Sequence, residues 1–277
     1  MPTNKQRRQA AQRRLQRQLE RRAELNRRRR RNVLTVVTAV AVLLVLGAVW
    51  LVTQGGDDDP TAAADPSAAP SSSAAATTNA DGTVTCSYTP DPSGNPNLVD
   101  AGTPPSPEAT PTEGTVSLLM STSQGDVPLT LDRATAPCAA ASFTYLAQQA
   151  FFDGSPCHRM VNGDAFGVLQ CGDPSGTGQG GPTYKFAEEV TPETTYPRGA
   201  IAMANSGSPG STGSQFFLVF TDSQLSPDYT VVGTVDEAGL AVLDQIAAAG
   251  NDGSFEPSPG GGAPNTPVTI ESMTVVS

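Results

Sequence analysis

Met203–Phe217 reads MANSGSPGSTGSQFF and runs straight into the apolar strand Phe216–Phe220. Four of its fifteen residues are glycine or proline, and six are Ser, Thr or Asn. Small residues put little side chain in the way, so another backbone can lie close to such a loop. The aromatic strand beside it supplies an apolar wall. Composition alone would fit a plain surface loop equally well, so the rest of the chain has to decide.

The formal net charge of −10 hides a split. Met1–Arg31 holds 13 of the 17 Lys and Arg, against Glu20 and Glu24. After it the only cations are Arg133, Arg159, Lys185 and Arg198, among 25 acids. So acidic a body repels phosphates, and no nucleic-acid partner is expected for it. The apolar run VLTVVTAVAVLLVLGAVWLVT follows at Val33–Thr53, carries no charge, and is long enough to span a membrane as one helix. Arginines before it and Asp57–Asp59 after it place the N-terminus in the cytoplasm and the rest outside. No small-x-small cleavage pattern follows in TQGGDDD, which favours an uncleaved single-pass anchor over a signal peptide. The arginines are placed to touch anionic headgroups. All four cysteines, Cys86, Cys138, Cys157 and Cys171, fall on the exported side, where an even count favours two disulfides. Three pairings are possible and the sequence does not choose among them.

This gives a basic cytoplasmic arm at 1–31, an anchor at 32–54, a linker at 55–112 and a folded domain at 113–277. The linker is rich in Ala, Pro, Ser, Thr and Asp, which is the composition of a disordered segment. Its one interruption is TVTCSY at Thr83–Tyr88, where Cys86 can tether it to the domain. In the domain, Thr115–Ser123 and Val127–Asp132 read as strands, and Pro137–Ala150 as a helix with proline at its start. Short strands follow at Cys157–Val161, Val168–Cys171, Ala200–Ala204, Phe216–Phe220 and Tyr229–Val235. A second helix covers Gly239–Ala249, and Pro267–Val276 is a last strand. Many short strands with two helices make a mainly β domain, either a closed barrel or a sandwich with helical caps.

His158 is the only histidine, so a two-histidine metal site is excluded, as is a Ser-His-Asp or Cys-His hydrolase unless His158 itself is the base. Arg159, beside it, is a rare cation that can point into a cleft as a fixed donor fork. GTGQGG at Gly176–Gly181 has neither the Lys-Ser/Thr nor the strand–loop–helix frame of a phosphate loop.

Taken in order, CHRM (Cys157–Met160), LQCGD (Leu169–Asp173), GTGQGG, KFAEE (Lys185–Glu189), MAN (Met203–Asn205), GSQFF (Gly213–Phe217) and VVG (Val231–Gly233) resemble the cyclophilin family of peptidyl-prolyl cis–trans isomerases. The resemblance runs from about Gly114 to Ser277 and is strongest to membrane-anchored, cysteine-containing actinobacterial cyclophilins. It implies an eight-stranded antiparallel closed barrel capped by two helices, with no metal or cofactor. By this likeness Arg159 is catalytic and Gln170 is an active-site glutamine. Gly176 is a groove glycine. Ala204, Asn205 and Ser206 form the edge that binds substrate backbone, with Ser206 replacing an alanine. Gln215 is a polar contact, and Phe217 and Leu225 belong to the proline pocket.

There are departures from the family pattern. Three extra residues lie between Arg159 and Gln170, so the family's Phe-Met pair falls on Gly167 and Val168, with Phe166 supplying the ring if the loop shifts by one. Gln224 stands for a groove tryptophan and Tyr229 for a groove histidine, changes that bear on cyclosporin-type ligands more than on catalysis. Phe217, Leu225, Met203 and the Phe166–Leu169 segment are thus expected around a proline ring, with Val168 and Tyr229 among the substrate-binding residues. The implied partners are proline-containing polypeptides among exported proteins, whose folding the domain would assist. The other reading is a cell-envelope scaffold that keeps the groove but turns over slowly.

Overall fold

Alternation of apolar and polar residues in Thr115–Thr122 and Gly125–Asp132 buries one side of each strand. These strands, β1 and β2, pair antiparallel from Thr115↔Asp132 to Thr122↔Gly125. The computed structural model describes residues 77–276. The basic arm and the expected membrane-spanning segment lie outside the described residues. Among the described residues no helix is long and apolar enough to cross a membrane.

The remaining strands of the main sheet are β3 (Arg159–Gly163), β4 (Phe166–Cys171), β5 (Ala200–Met203), β6 (Phe216–Thr221), β7 (Val231–Val235) and β8 (Ile270–Val276). They form one eight-stranded sheet in the order β8-β1-β2-β7-β5-β6-β4-β3. The expected closure into a barrel does not occur, because β8 and β3 are edges that do not pair. The segment between them carries Pro257, Pro259, Pro264 and Pro267, none of which can donate to a ladder. Isolated bridges, Pro156↔Thr269 and Met160↔Gly262, and scattered backbone hydrogen bonds such as Cys157 N–H to the Val268 carbonyl span the gap without forming a ladder. The sheet is therefore a curled, open half-barrel.

Two helices cover it. Helix α1 (Pro137–Gln148) starts at a proline, and its N-cap residue Ala136 has no side-chain acceptor. The carboxylate of Glu189 does that job, accepting from the N–H groups of Cys138 (2.9 Å) and Ala139 (2.8 Å). Phe143 of α1 packs on Phe152 and Phe216 with ring centroids 5.1 and 4.9 Å apart. Helix α2 (Glu237–Ala249) is capped by Asp236, which accepts from the Gly239 N–H at 2.8 Å, and buries Leu240, Leu243 and Ile246. Gly239 fits because a Cβ there would lie 2.7 Å from Val235 and 2.8 Å from Val127.

Residues 77–112, read from composition as disordered linker, instead form a strap folded onto the domain. Thr89–Pro90 pairs with Tyr184–Lys185, and Leu98–Val99 runs parallel to Gly181–Pro182. The four cysteines pair as Cys86–Cys138 and Cys157–Cys171. A few well-placed side chains offset the strap's poor composition. Val84 and Cys86 are buried against Cys138, and Tyr88 makes edge contacts with Tyr184 and Phe186 at 5.4 and 5.6 Å.

Candidate active site

One row of residues crosses the open end of the sheet: Arg159 on β3 stands opposite Gln170 on β4, Gln170 opposite Phe217 on β6, and Phe217 opposite Ala202 on β5. Strand alternation sorts the neighbours to either side of the sheet. Val168, Phe217, Val219, Ala200 and Ala202 form a second apolar cluster, with Phe166, Ala204, Leu225 and Tyr229 packed on it. Their chain neighbours Leu169, Phe216, Leu218, Ile201 and Met203 face the main core.

On the outer side lies a groove of about 400 Å³. Nine expected residues line it: Arg159, Phe166, Val168, Gln170, Ala204, Asn205, Phe217, Leu225 and Tyr229. The three extra residues between Arg159 and Gln170 are taken up in the β3–β4 hairpin, where Gly163 pairs with Phe166. Phe166 rather than Gly167 then enters the groove, with its ring 5.9 Å from the Arg159 guanidinium carbon. Phe217 meets Tyr229 edge-on at 5.5 Å and 82°. Tyr196 braces both rings from behind: its hydroxyl accepts from the Tyr229 N–H (2.9 Å) and reaches the Tyr229 carbonyl (3.0 Å).

Two expectations are corrected. Met203 does not touch the groove; one step along β5 from Ala202, it is 1% exposed in the core beside Phe216. Gly176 is a turn glycine with φ +67° that does not line the groove, and a Cβ there would lie 2.6 Å from Pro156. Ser206 and Gln215 line an adjoining cavity of about 460 Å³, which shares Gln170, Ala204 and Asn205 with the groove. Sequence reasoning missed His158, Thr177, Gly178, Gln179, Phe255 and Pro259 as lining residues. Phe255 and Pro259 sit in the Gly/Pro-rich loop after α2, whose composition was the only available signal.

Arg159 has five N–H donors. Its Nε donates to the Gly260 carbonyl (3.0 Å), Nη2 to the Pro259 carbonyl (2.8 Å) and Nη1 to Oε1 of Gln170 (3.0 Å). The guanidinium is thus fixed in plane, and two donors remain. Burial lowers its pKa below the ordinary arginine value, while Tyr229 and Glu256 pull the other way. Arginine starts so high that it stays charged. Beside it, burial lowers the pKa of His158, helped by the charge of Arg159 and opposed by Asp173. The GTGQGG loop wraps a carboxylate rather than a phosphate: Asp173 accepts from the N–H groups of Ser175 (2.8 Å), Gly178 (2.7 Å) and Gly180 (3.0 Å). Burial raises the Asp173 pKa, but the Ser175 hydroxyl, which donates to it at 2.7 Å, and these N–H groups outweigh it and hold the carboxyl below its usual range. Among the described residues no cluster of His, Cys, Asp or Glu is arranged to hold a metal.

A curled eight-stranded sheet with two helices and an arginine at the rim of an apolar peptide-sized groove is a well-defined class of architecture. Residues 117–275 match the family model described as cyclophilin type peptidyl-prolyl cis-trans isomerase/CLD, and the chain belongs to that family. It is similar to the probable peptidyl-prolyl cis-trans isomerase B of Mycobacterium leprae, 45% identical over 203 residues, which is 69% of this chain and 66% of that protein. It is also similar to the peptidyl-prolyl cis-trans isomerase A of Mycobacterium tuberculosis, 36% identical over 58% of this chain and 92% of that protein. Among solved structures, a Cryptosporidium parvum cyclophilin type isomerase aligns with a TM-score of 0.51 and 27% identity. That alignment covers 59% of this chain and 99% of the other. The chain spans just under two thirds of the length of the isomerase B relatives.

Proposed function

We propose that this groove catalyses cis–trans rotation about X–Pro bonds of polypeptides, and that it serves exported proteins from a membrane-anchored position outside the cytoplasm. The observation that carries the chemistry is the Arg159 guanidinium, held by three bonds at the rim of a pocket walled by Phe166, Val168, Phe217, Leu225 and Tyr229. Rotation faces a barrier of about 18–20 kcal/mol because amide resonance is lost. No bond is made or broken, so neither a nucleophile nor a metal is needed. The site has only to bind the twisted amide better than either planar form.

The apolar pocket takes the pyrrolidine ring. The two remaining donors of Arg159 serve the prolyl nitrogen as it pyramidalises, or the prolyl carbonyl, and both favour the form with less double-bond character. The Ala204 N–H already donates to the Gln215 carbonyl at 2.8 Å, so the substrate backbone is met by Asn205. Asn205 is itself steadied by its side-chain bond to the Asp228 carbonyl at 2.8 Å.

The location rests on Val33–Thr53, on the basic arm before it, and on two disulfides, which persist in oxidising compartments. With Tyr229 in the groove and Gln224 in place of tryptophan, cyclosporin-type macrocycles bind weakly on this reading. The test is a tetrapeptide whose trans form alone is cut by a protease, with the full chain added. The slow phase quickens in proportion to protein; an unchanged slow phase rejects the enzyme reading.

A further inference from the structure

The catalytic pair is connected by hydrogen bonds to the strap that precedes the family match. Gln170 accepts from Arg159, and its Nε2 donates to Oε1 of Gln215 at 3.0 Å. The Nε2 of Gln215 donates to the carbonyls of Gly180 (2.9 Å) and Gly178 (3.1 Å). With both amide hydrogens of Gln215 used, its oxygen has to face Gln170. That in turn directs the NH₂ of Gln170 to Gln215 and its oxygen to Arg159. The position of the Gly178–Gly180 carbonyls therefore sets which end of Gln170 the arginine meets.

The strap holds the loop that carries those carbonyls from one side, while Asp173 holds it from the other through the Gly178 and Gly180 N–H groups. Asn95 Nδ2 donates to the Gln179 carbonyl at 2.6 Å, and Leu98–Val99 pairs with Gly181–Pro182. The strap backbone lies so near that a Cβ on Gly180 would be 2.9 Å from the Asn97 carbonyl. The strap is anchored by the Cys86–Cys138 disulfide, by Tyr88 Oη donating to the Cys138 carbonyl (2.8 Å) and by the Asp91–Lys185 ion pair (2.9 Å).

We infer that the strap, acting through Asn95, is a positioning element for the Arg159–Gln170 pair, so that turnover depends on an oxidised, docked strap. This rests on the isomerase reading above, and the test separates the two. Asn95→Asp is the sharpest variant. It keeps the Oδ1 that accepts from the Asn97 N–H (2.9 Å), and so the strap's own turn, but replaces the donor to Gln179 with a repelling oxygen. In the full chain we expect kcat to fall by about two- to tenfold, the size of one lost hydrogen bond. KM is expected to stay where it was, and the melting temperature to fall by no more than about 2–4 °C. The double variant Cys86→Ser/Cys138→Ser, which frees the strap, is expected to lower kcat in the same direction. If wild type is active and Asn95→Asp turns over equally fast, the inference is overturned. A rise in KM at constant kcat also overturns it, since the strap would then act as a substrate wall. An inactive wild type would instead reject the isomerase reading.

Discussion

Replacing Arg159 by lysine keeps the charge and removes the fork, and so isolates what the guanidinium contributes. Arg159 spends three of its five N–H groups on Gly260, Pro259 and Gln170, at 3.0, 2.8 and 3.0 Å. A lysine ammonium donates from a single atom and cannot hold those three partners while also reaching substrate. Losing one charged hydrogen bond from the transition state costs about 1.5–3 kcal/mol, which corresponds to a fall in kcat/KM of about 10- to 150-fold. The effect on folding is smaller. Pro259 is exposed, so water replaces the lost donor at its carbonyl, and losing one of the half-buried partners Gly260 or Gln170 costs about 0.5–1.5 kcal/mol, or a few degrees in melting temperature. The protease-coupled assay and a melting curve measure both quantities on one sample. If Arg159→Lys stays within about threefold of wild type, charge rather than geometry is what matters, and the fork argument fails.

Three further outcomes follow from the same geometry. Phe217→Ala opens the proline pocket, and we expect KM to rise by about tenfold or more; an unchanged KM would place the ring elsewhere. Glu189→Ala leaves the N–H groups of Cys138 and Ala139 without their acceptor, and about 1–3 kcal/mol of stability is expected to go, read by denaturant unfolding. His158, the only histidine in the chain, has its pKa lowered by burial. The unfolded chain therefore takes up a proton that the folded one resists, and stability falls as pH drops below the ordinary histidine value of about 6.5. Unfolding midpoints of His158→Gln across that range should lack the wild-type slope, and an identical slope would assign it to other groups.

Most of the groove was legible because strand alternation and motif order agree. Phe166, Val168 and Gln170 share one side of β4, and Phe217 shares the matching side of β6. Met203 was misplaced for the same reason that Ala204 was placed correctly. A one-residue step flips the side chain, and a motif quoted as a block does not say which member faces out. The strap was missed because its order comes from partners far away in sequence. Cys86 reaches Cys138 across 52 residues, and Asn95 reaches Gln179 across 84. Composition sums a segment's own apolar surface and sees none of this. The open sheet was missed likewise, since the prolines between α2 and β8 forbid a closing ladder that counting strands would allow. Pro259 and Gly260, which hold Arg159, act through backbone carbonyls, and no side-chain motif records a carbonyl.

As proposed, this groove lowers the barrier to rotation by non-covalent contacts centred on Arg159. This is tested most directly by two-dimensional NMR exchange on a proline peptide with a small amount of the full chain, where cis and trans signals are seen together and no protease is present. We expect exchange cross-peaks that grow with wild-type protein while the cis:trans ratio stays fixed, and that nearly vanish with folded Arg159→Ala. Cross-peaks of equal strength with Arg159→Ala, or none with wild type, would contradict it.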